Sequence, residues 1–303
     1  MDAARAIGLC NVGVEENPED PRDRKWGVIA ASFSDINGAF LTTKPKSGAD
    51  PSLQMGILPN FGSATQPQEG SSLFALSSGI ARAKGQDGAA SNTCSGTKSF
   101  ASSNKYPPGF PKKGDCGTTG TPNDGIALDM KLRVPTNAKS FKIRFKFFTC
   151  EFPVYVCDVY NDVFAVLMSP SPLDKGDPMA DSNNASANIA FETSDKGTKN
   201  VIGVNNTNFL TACKKGAKPQ YKKCEDESGL AGSGFETHAA SAWLETQVPI
   251  PDFPQGADRV ISLRFAIWDS RDQALDSSAV VDGFEWSAEP GSGVGTVIIP
   301  VPK

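Results

Sequence analysis

Two acidic segments, Cys150 to Phe164 (CEFPVYVCDVYNDVF) and Trp268 to Phe284 (WDSRDQALDSSAVVDGF), carry the residues best suited to chemistry. Each sets carboxylates against hydrophobic, β-prone runs, where strand ends meet loops. Asp269, Asp272 and Asp276 fall close together, beside Ser270, Ser277 and Ser278. Carboxylates packed so tightly repel one another unless a positive charge sits among them. Hard cations such as Ca²⁺ take roughly six to eight oxygens from such groups. Glu151 and Asp162 of the first segment are placed to complete the shell, so the spacing predicts a calcium site joining two loops. The competing reading is a solvated loop of turn-forming Asp and Ser, with Asp162 starting an Asx-turn and Glu151 an exposed charge. Asp282, inside the last strand run, is expected to face outward.

Other chemistries are poorly served. The chain has one histidine, His238, so a serine or cysteine triad has a single candidate base. Cys/His zinc sites are nearly excluded for the same reason. His238 reads as a surface histidine. Two carboxylates could formally serve a glycosidase, but no motif marks a pair, and a non-enzymatic protein is expected. The loop CKKGAKPQYKKC carries Lys214, Lys215, Lys218, Lys222 and Lys223. It reads as a solvated face, with contact to an anionic polysaccharide or membrane surface as the alternative. Trp26, Trp243, Trp268 and Trp286 lie in apparent strands, so core packing is expected over sugar stacking.

Among the seven cysteines, sequence neighbours suggest the disulfides Cys94–Cys116, Cys150–Cys157 and Cys213–Cys224, with Cys10 left over. Spacing does not determine connectivity. Disulfides imply an oxidising compartment. MDAARAIGLC lacks the apolar core of an export signal, so a mature fragment is expected. No apolar run approaches the length of a membrane helix.

The elements that must position these residues read as strands. Charged residues are 21% and apolar residues 39% of 303, which suits a globular chain, and a net charge of −4 offers nucleic acid no global basic field. In SFKIRFKFF, Phe141, Ile143, Phe145 and Phe147 alternate with Lys142, Arg144 and Lys146. ISLRFAIWD repeats the pattern with Ile261, Leu263, Phe265 and Ile267. Period-two alternation gives one buried and one wet face. RKWGVIAASF, GIALDMKLRV, DVFAVLM and AVVDGFEW extend the set, and helical periodicity is scarce. The expected fold is an all-β, antiparallel two-sheet sandwich, jelly-roll-like, with long loops. One domain is expected over residues 1–289, loop-rich at 44–121, followed by a linker at 290–303.

The order FFTCEFP, YNDVFAVLM, NIAF, VIGVNN, AWLETQVPI and ISLRFAIWDSRDQALDSSAVVDGFEW resembles the choice-of-anchor L family of bacterial extracellular domains. DAARAIGLC, WGVIAASF and GILPNFG…ALSSGIAR resemble its myxobacterial branch. The resemblance covers about Ala3 to Trp286. It implies an all-β sandwich, secreted or held at the cell surface by a C-terminal anchor. The expected function is a calcium- and disulfide-stabilised module for adhesion or glycan contact, with an extracellular polysaccharide or surface protein as partner. The alternative is a self-assembling subunit of an extracellular filament, coat or matrix.

Overall fold

The computed structural model describes residues 1–13, 20, 24–41, 48–91, 93–94, 99–100, 105–110, 112–117, 120–214 and 226–300. A short helix, α1 (Asp2–Ala6), precedes β1 (Gly27–Ser34), β2 (Met55–Leu58), β3 (Leu73–Ser77), β4 (Pro122–Arg133) and β5 (Ser140–Thr149). There follow β6 (Val163–Ser169), β7 (Ala187–Asn188), β8 (Phe191–Thr193), β9 (Lys199–Gly203) and β10 (Ala212–Cys213). The last five are β11 (Ala239–Ala240), β12 (Leu244–Pro249), β13 (Val260–Ser270), β14 (Ser277–Ser287) and β15 (Gly295–Ile298).

These strands form two antiparallel sheets packed face to face, the expected sandwich. One runs β1-β4-β13-β6-β9-β8 with β7 beside β6; the other runs β10-β11-β5-β14-β3-β2, with β12 joining β5 to β15. Alternation decides the core. Phe141, Ile143, Phe145 and Phe147 of β5 meet Ile261, Leu263, Phe265 and Ile267 of β13, with Phe164, Val166 and Met168 of β6 in the same cluster. Burying such side chains contributes about 1.5–3 kcal/mol each, which drives the sheets together.

The outer faces are not uniformly wet. On β5, Lys142 and Arg144 reach Glu245 on β12 at 3.1 and 3.0 Å, as an exposed face should. Lys146, expected to be wet as well, is buried. An outer apolar layer containing Phe61, Phe148, Leu230 and Phe235 covers that end of β5. Lys146 Nζ donates to Thr65 Oγ1 at 3.1 Å and to the Gly229 carbonyl at 2.8 Å. Burial pushes its pKa down to about 8, with Asp226 opposing the shift.

Three other expectations are corrected. Cys94 bonds Cys150, and Cys116 bonds Cys157, in place of the neighbour pairings. The sheets bring distant cysteines within 5.4 and 4.9 Å between Cα atoms, so spatial proximity overrides sequence proximity. Cys213 is disulfide-bonded, while Cys224 lies outside the described residues. The expected linker contains β15, which pairs with β12 from Leu244↔Ile298 to Gln247↔Gly295. Trp26 is substantially exposed, unlike Trp243 and Trp268, which are buried.

Candidate functional site

The two acidic segments meet at one end of the sandwich. Registers place Ser277 of β14 opposite Thr149 of β5, and Trp268 of β13 opposite Val163 of β6. Asp269 pairs with Asn123 at the start of β4. The ends of β5 and β13 and the starts of β4, β6 and β14 therefore converge.

Counting by twos along each strand explains where the carboxylates lie. Asp269 follows the inward series Leu263, Phe265 and Ile267; Asp162 precedes Phe164, Val166 and Met168; Glu151 follows Phe145, Phe147 and Thr149. Asp124, two residues before Ile126, sits at a β-bulge of β4 with φ +46°, so it reaches this end outside the strand's alternation. Asp162 and Asp269 occupy the step beyond the last apolar residue of an inward row, and Glu151 lies one step further, past Thr149. The carboxylates thus roof the core, and Glu151, Asp162, Asp269, Asp276 and Asp124 are all buried.

Their partners are hydroxyls, amides and one another, Asp162 sharing side-chain hydrogen bonds with both Asp269 and Glu151. Asp162 Oδ1 accepts from the Ser270 backbone N–H at 3.0 Å, and its Oδ2 accepts from Ser277 Oγ at 2.6 Å. Asp269 Oδ1 accepts from Ser78 Oγ at 3.1 Å. Asp124 Oδ1 accepts from the Phe100 backbone N–H at 2.7 Å and from Gln273 Nε2 at 3.0 Å. Asp276 packs onto Gly79, where an added Cβ would fall 1.8 Å from its Oδ2. Ion pairs among the described residues involve none of these five carboxylates. One oxygen each of Glu151, Asp269, Asp276 and Asp124 accepts no hydrogen bond from an amide or a hydroxyl.

Such burial disfavours the charged form. Desolvation pushes Asp276 up to about 8, with repulsion from Asp162 and Asp124 adding to it. Asp124 rises to about 6 through burial, against its two hydrogen bonds. Burial raises Glu151, Asp162 and Asp269 as well, and mutual repulsion reinforces the rise in Glu151 and Asp269. Asp272 is half-exposed at the rim, its Oδ1 accepting from the Ala274 backbone N–H at 3.2 Å.

Four orphaned, buried carboxylate oxygens are the donor chemistry a hard cation requires. Among the described residues, no group of three or more His, Cys, Asp or Glu side chains is arranged to hold a metal ion, so their oxygens do not converge on one point.

The structure brings together all five carboxylates singled out in the sequence and adds Asp124. Asp282 lies on the outer face opposite Arg144, as expected, but it is covered there, and its Oδ2 accepts from the backbone N–H groups of Gln68 at 2.6 Å and Glu69 at 3.3 Å. His238 is half-buried, with Nδ1 at 3.3 Å from the Phe152 carbonyl, and burial lowers its pKa. Lys214 is exposed; Lys215, Lys218, Lys222 and Lys223 lie outside the described residues.

Fold and site together define a disulfide-tied antiparallel β-sandwich with a buried acidic end. No family model matches the chain, and no curated protein does. Among solved structures it is similar to TmCBM61 in complex with β-1,4-galactotriose, at 9% identity and a TM-score of 0.28, covering 80% of this chain and 86% of that one. A likeness so distant assigns neither site nor ligand. The disulfides are compatible with a secreted protein, and among the described residues no helix is long and apolar enough to cross a membrane.

Proposed function

We propose that this chain is a non-catalytic, calcium-stabilised binding module of a bacterial cell exterior, acting in adhesion through glycan contact. Membership of the choice-of-anchor L family is part of that reading. The observation that carries it is the set of buried carboxylates with orphaned oxygens. Uncompensated buried charge costs several kcal/mol per group. A Ca²⁺ taking up those oxygens would remove the cost and lock β4, β5, β6, β13 and β14 together, which requires the carboxylates to rearrange from the positions described above. A glycosidase pair has to meet its substrate, whereas Glu151, Asp162 and Asp269 are covered, which favours a structural ion over catalysis. Titration calorimetry on EDTA-treated, desalted protein tests the ion. One Ca²⁺ per chain is expected for the wild type and none for Asp269→Asn. Absence of heat and of any mass shift by native mass spectrometry would remove calcium from the account.

One observation favours self-assembly as a second reading. Among the described residues β15 pairs only with β12, with the Phe191 backbone N–H of β8 donating to Thr296 Oγ1 at 3.2 Å, and it exposes Val297 and Ile298, apolar residues of the kind that add strands from another chain. Sedimentation of the wild type against Val297→Lys tests it, with polymers expected only for the wild type.

A further inference from the structure

Away from the acidic end, the outer face of the first sheet carries a groove that the calcium site leaves unexplained. Two rows of outward residues cross its strands. Ser32, Asp129 and Arg264 form one row over β1, β4 and β13; Ala30, Lys131, Ser262 and Ser169 form the next, reaching β6. Above them lies a cleft of about 450 Å³, lined by Ser32, Phe40, Asp129, Lys131, Ser262 and Arg264. It adjoins a second space of about 140 Å³ that shares Asp129, Ser262 and Arg264 and continues over Ser169 and Ser186.

Phe40 at the first cleft is 80% exposed, more than any other large apolar side chain among the described residues. Its position is built. Asp35 Oδ1 accepts from the backbone N–H groups of Asn37 and Ala39, both at 2.9 Å, closing the turn before it. A backbone bridge joins Phe40 to Ser34 of β1. Gly38, at φ +92°, completes the turn, and an added Cβ there would fall 2.2 Å from Arg264 Nη2. The guanidinium lies in that space, with Nε donating to Asp129 Oδ1 at 2.6 Å and Nη1 to the Ile36 carbonyl at 3.4 Å. Ser34 Oγ donates to the other Asp129 oxygen. The carboxylate and guanidinium are therefore preorganised, and the backbone that carries Phe40 is fixed beside them.

We propose that this groove binds a linear, uncharged oligosaccharide segment of an extracellular polysaccharide, an inference that rests on the glycan-contact reading above. A sugar ring offers an apolar C–H face for Phe40 and hydroxyls that both donate and accept. Asp129 accepts, Arg264 donates, and the serine hydroxyls do either. The Asp129–Arg264 pair neutralises itself, Lys131 adds a cation to the lining, and the chain's net charge of −4 opposes an anionic polymer. Two adjoining spaces along one direction suit a chain of sugars over a single unit. The larger falls within the roughly 300–1,000 Å³ of ordinary ligand sites.

Affinity electrophoresis through gels containing galactan, glucan, mannan, xylan or polygalacturonate tests the assignment. The calcium-loaded wild type should be retarded by at least one of the four neutral polymers. Phe40→Ala should lose about tenfold in affinity or more, Phe40→Trp should retain binding, and Ser262→Arg, which fills the groove, should abolish it. Matching melting temperatures would show that all three variants fold. Wild-type binding that all three variants share would place the glycan site elsewhere and overturn the groove while sparing the glycan reading. Retardation by polygalacturonate alone would overturn the uncharged class. No retardation by any polymer would overturn both the groove and the glycan reading.

Discussion

A carboxylate set one step beyond an inward apolar row has lost its water without gaining a counter-charge, and that gives the acidic end its distinctive titration. Because burial raises these groups in the folded chain, the metal-free fold binds protons that the unfolded chain releases. Stability is then fullest below the ordinary carboxylate value near 3.8 and is lost as pH rises through about 6 for Asp124 and about 8 for Asp276. In EDTA the melting temperature should fall steadily from pH 4 to pH 8; a rise over that interval would contradict the burial. Gly79→Ala should displace the Asp276 carboxylate, since its Cβ would overlap that group, and destabilise the fold by about 1–3 kcal/mol in urea unfolding. Asp269, Asp276, Asp162 and Glu151 were legible in the sequence as residues that meet, because acidic groups abutted alternating strands. Asp124 was not, since a lone Asp in PNDG reads as a turn residue, and the bulge that turns it into the cluster appears only in the strand register.

At the scale of elements, alternation made β5 and β13 readable, because period two with large apolar side chains has one favourable packing. It could not reveal that loops would cover Lys146, since covering depends on segments distant in sequence. The Cys94–Cys116 and Cys150–Cys157 pairings failed for the same reason: Cys94 and Cys150 become neighbours only when Cys94 packs against the end of β5. The bond links residues 56 apart, and the second links residues 41 apart, so each restricts a long loop of the unfolded chain. Chain-entropy arguments give about 4 kcal/mol for each. Replacing Cys94 and Cys150 together by Ala should lower unfolding free energy by about that amount, and unreduced peptide maps should recover the Cys94–Cys150 and Cys116–Cys157 fragments. Recovery of Cys150–Cys157 fragments would contradict the topology. β15 escaped notice because GTVI sits among Gly, Ser and Pro and acquires strand character only by pairing with β12.

Across the whole molecule, the sandwich keeps two kinds of surface apart. One end holds a covered acidic cluster that bridges both sheets, and the outer face of the first sheet holds an open groove of hydroxyls, an ion pair and Phe40. Ion and glycan would then divide the labour, the first fixing strand ends and the second engaging a partner. The central claim is that the buried carboxylates hold a cation in the working protein. An ion bound only by the folded state stabilises it by mass action, about 2.7 kcal/mol at a hundredfold excess over Kd. Thermal unfolding at pH 7.5, in EDTA and in millimolar CaCl₂, tests this most directly, with Asp269→Asn as the control. The account predicts a melting temperature several degrees higher in calcium for the wild type and no difference for Asp269→Asn. Superimposable wild-type curves in EDTA and calcium would contradict it.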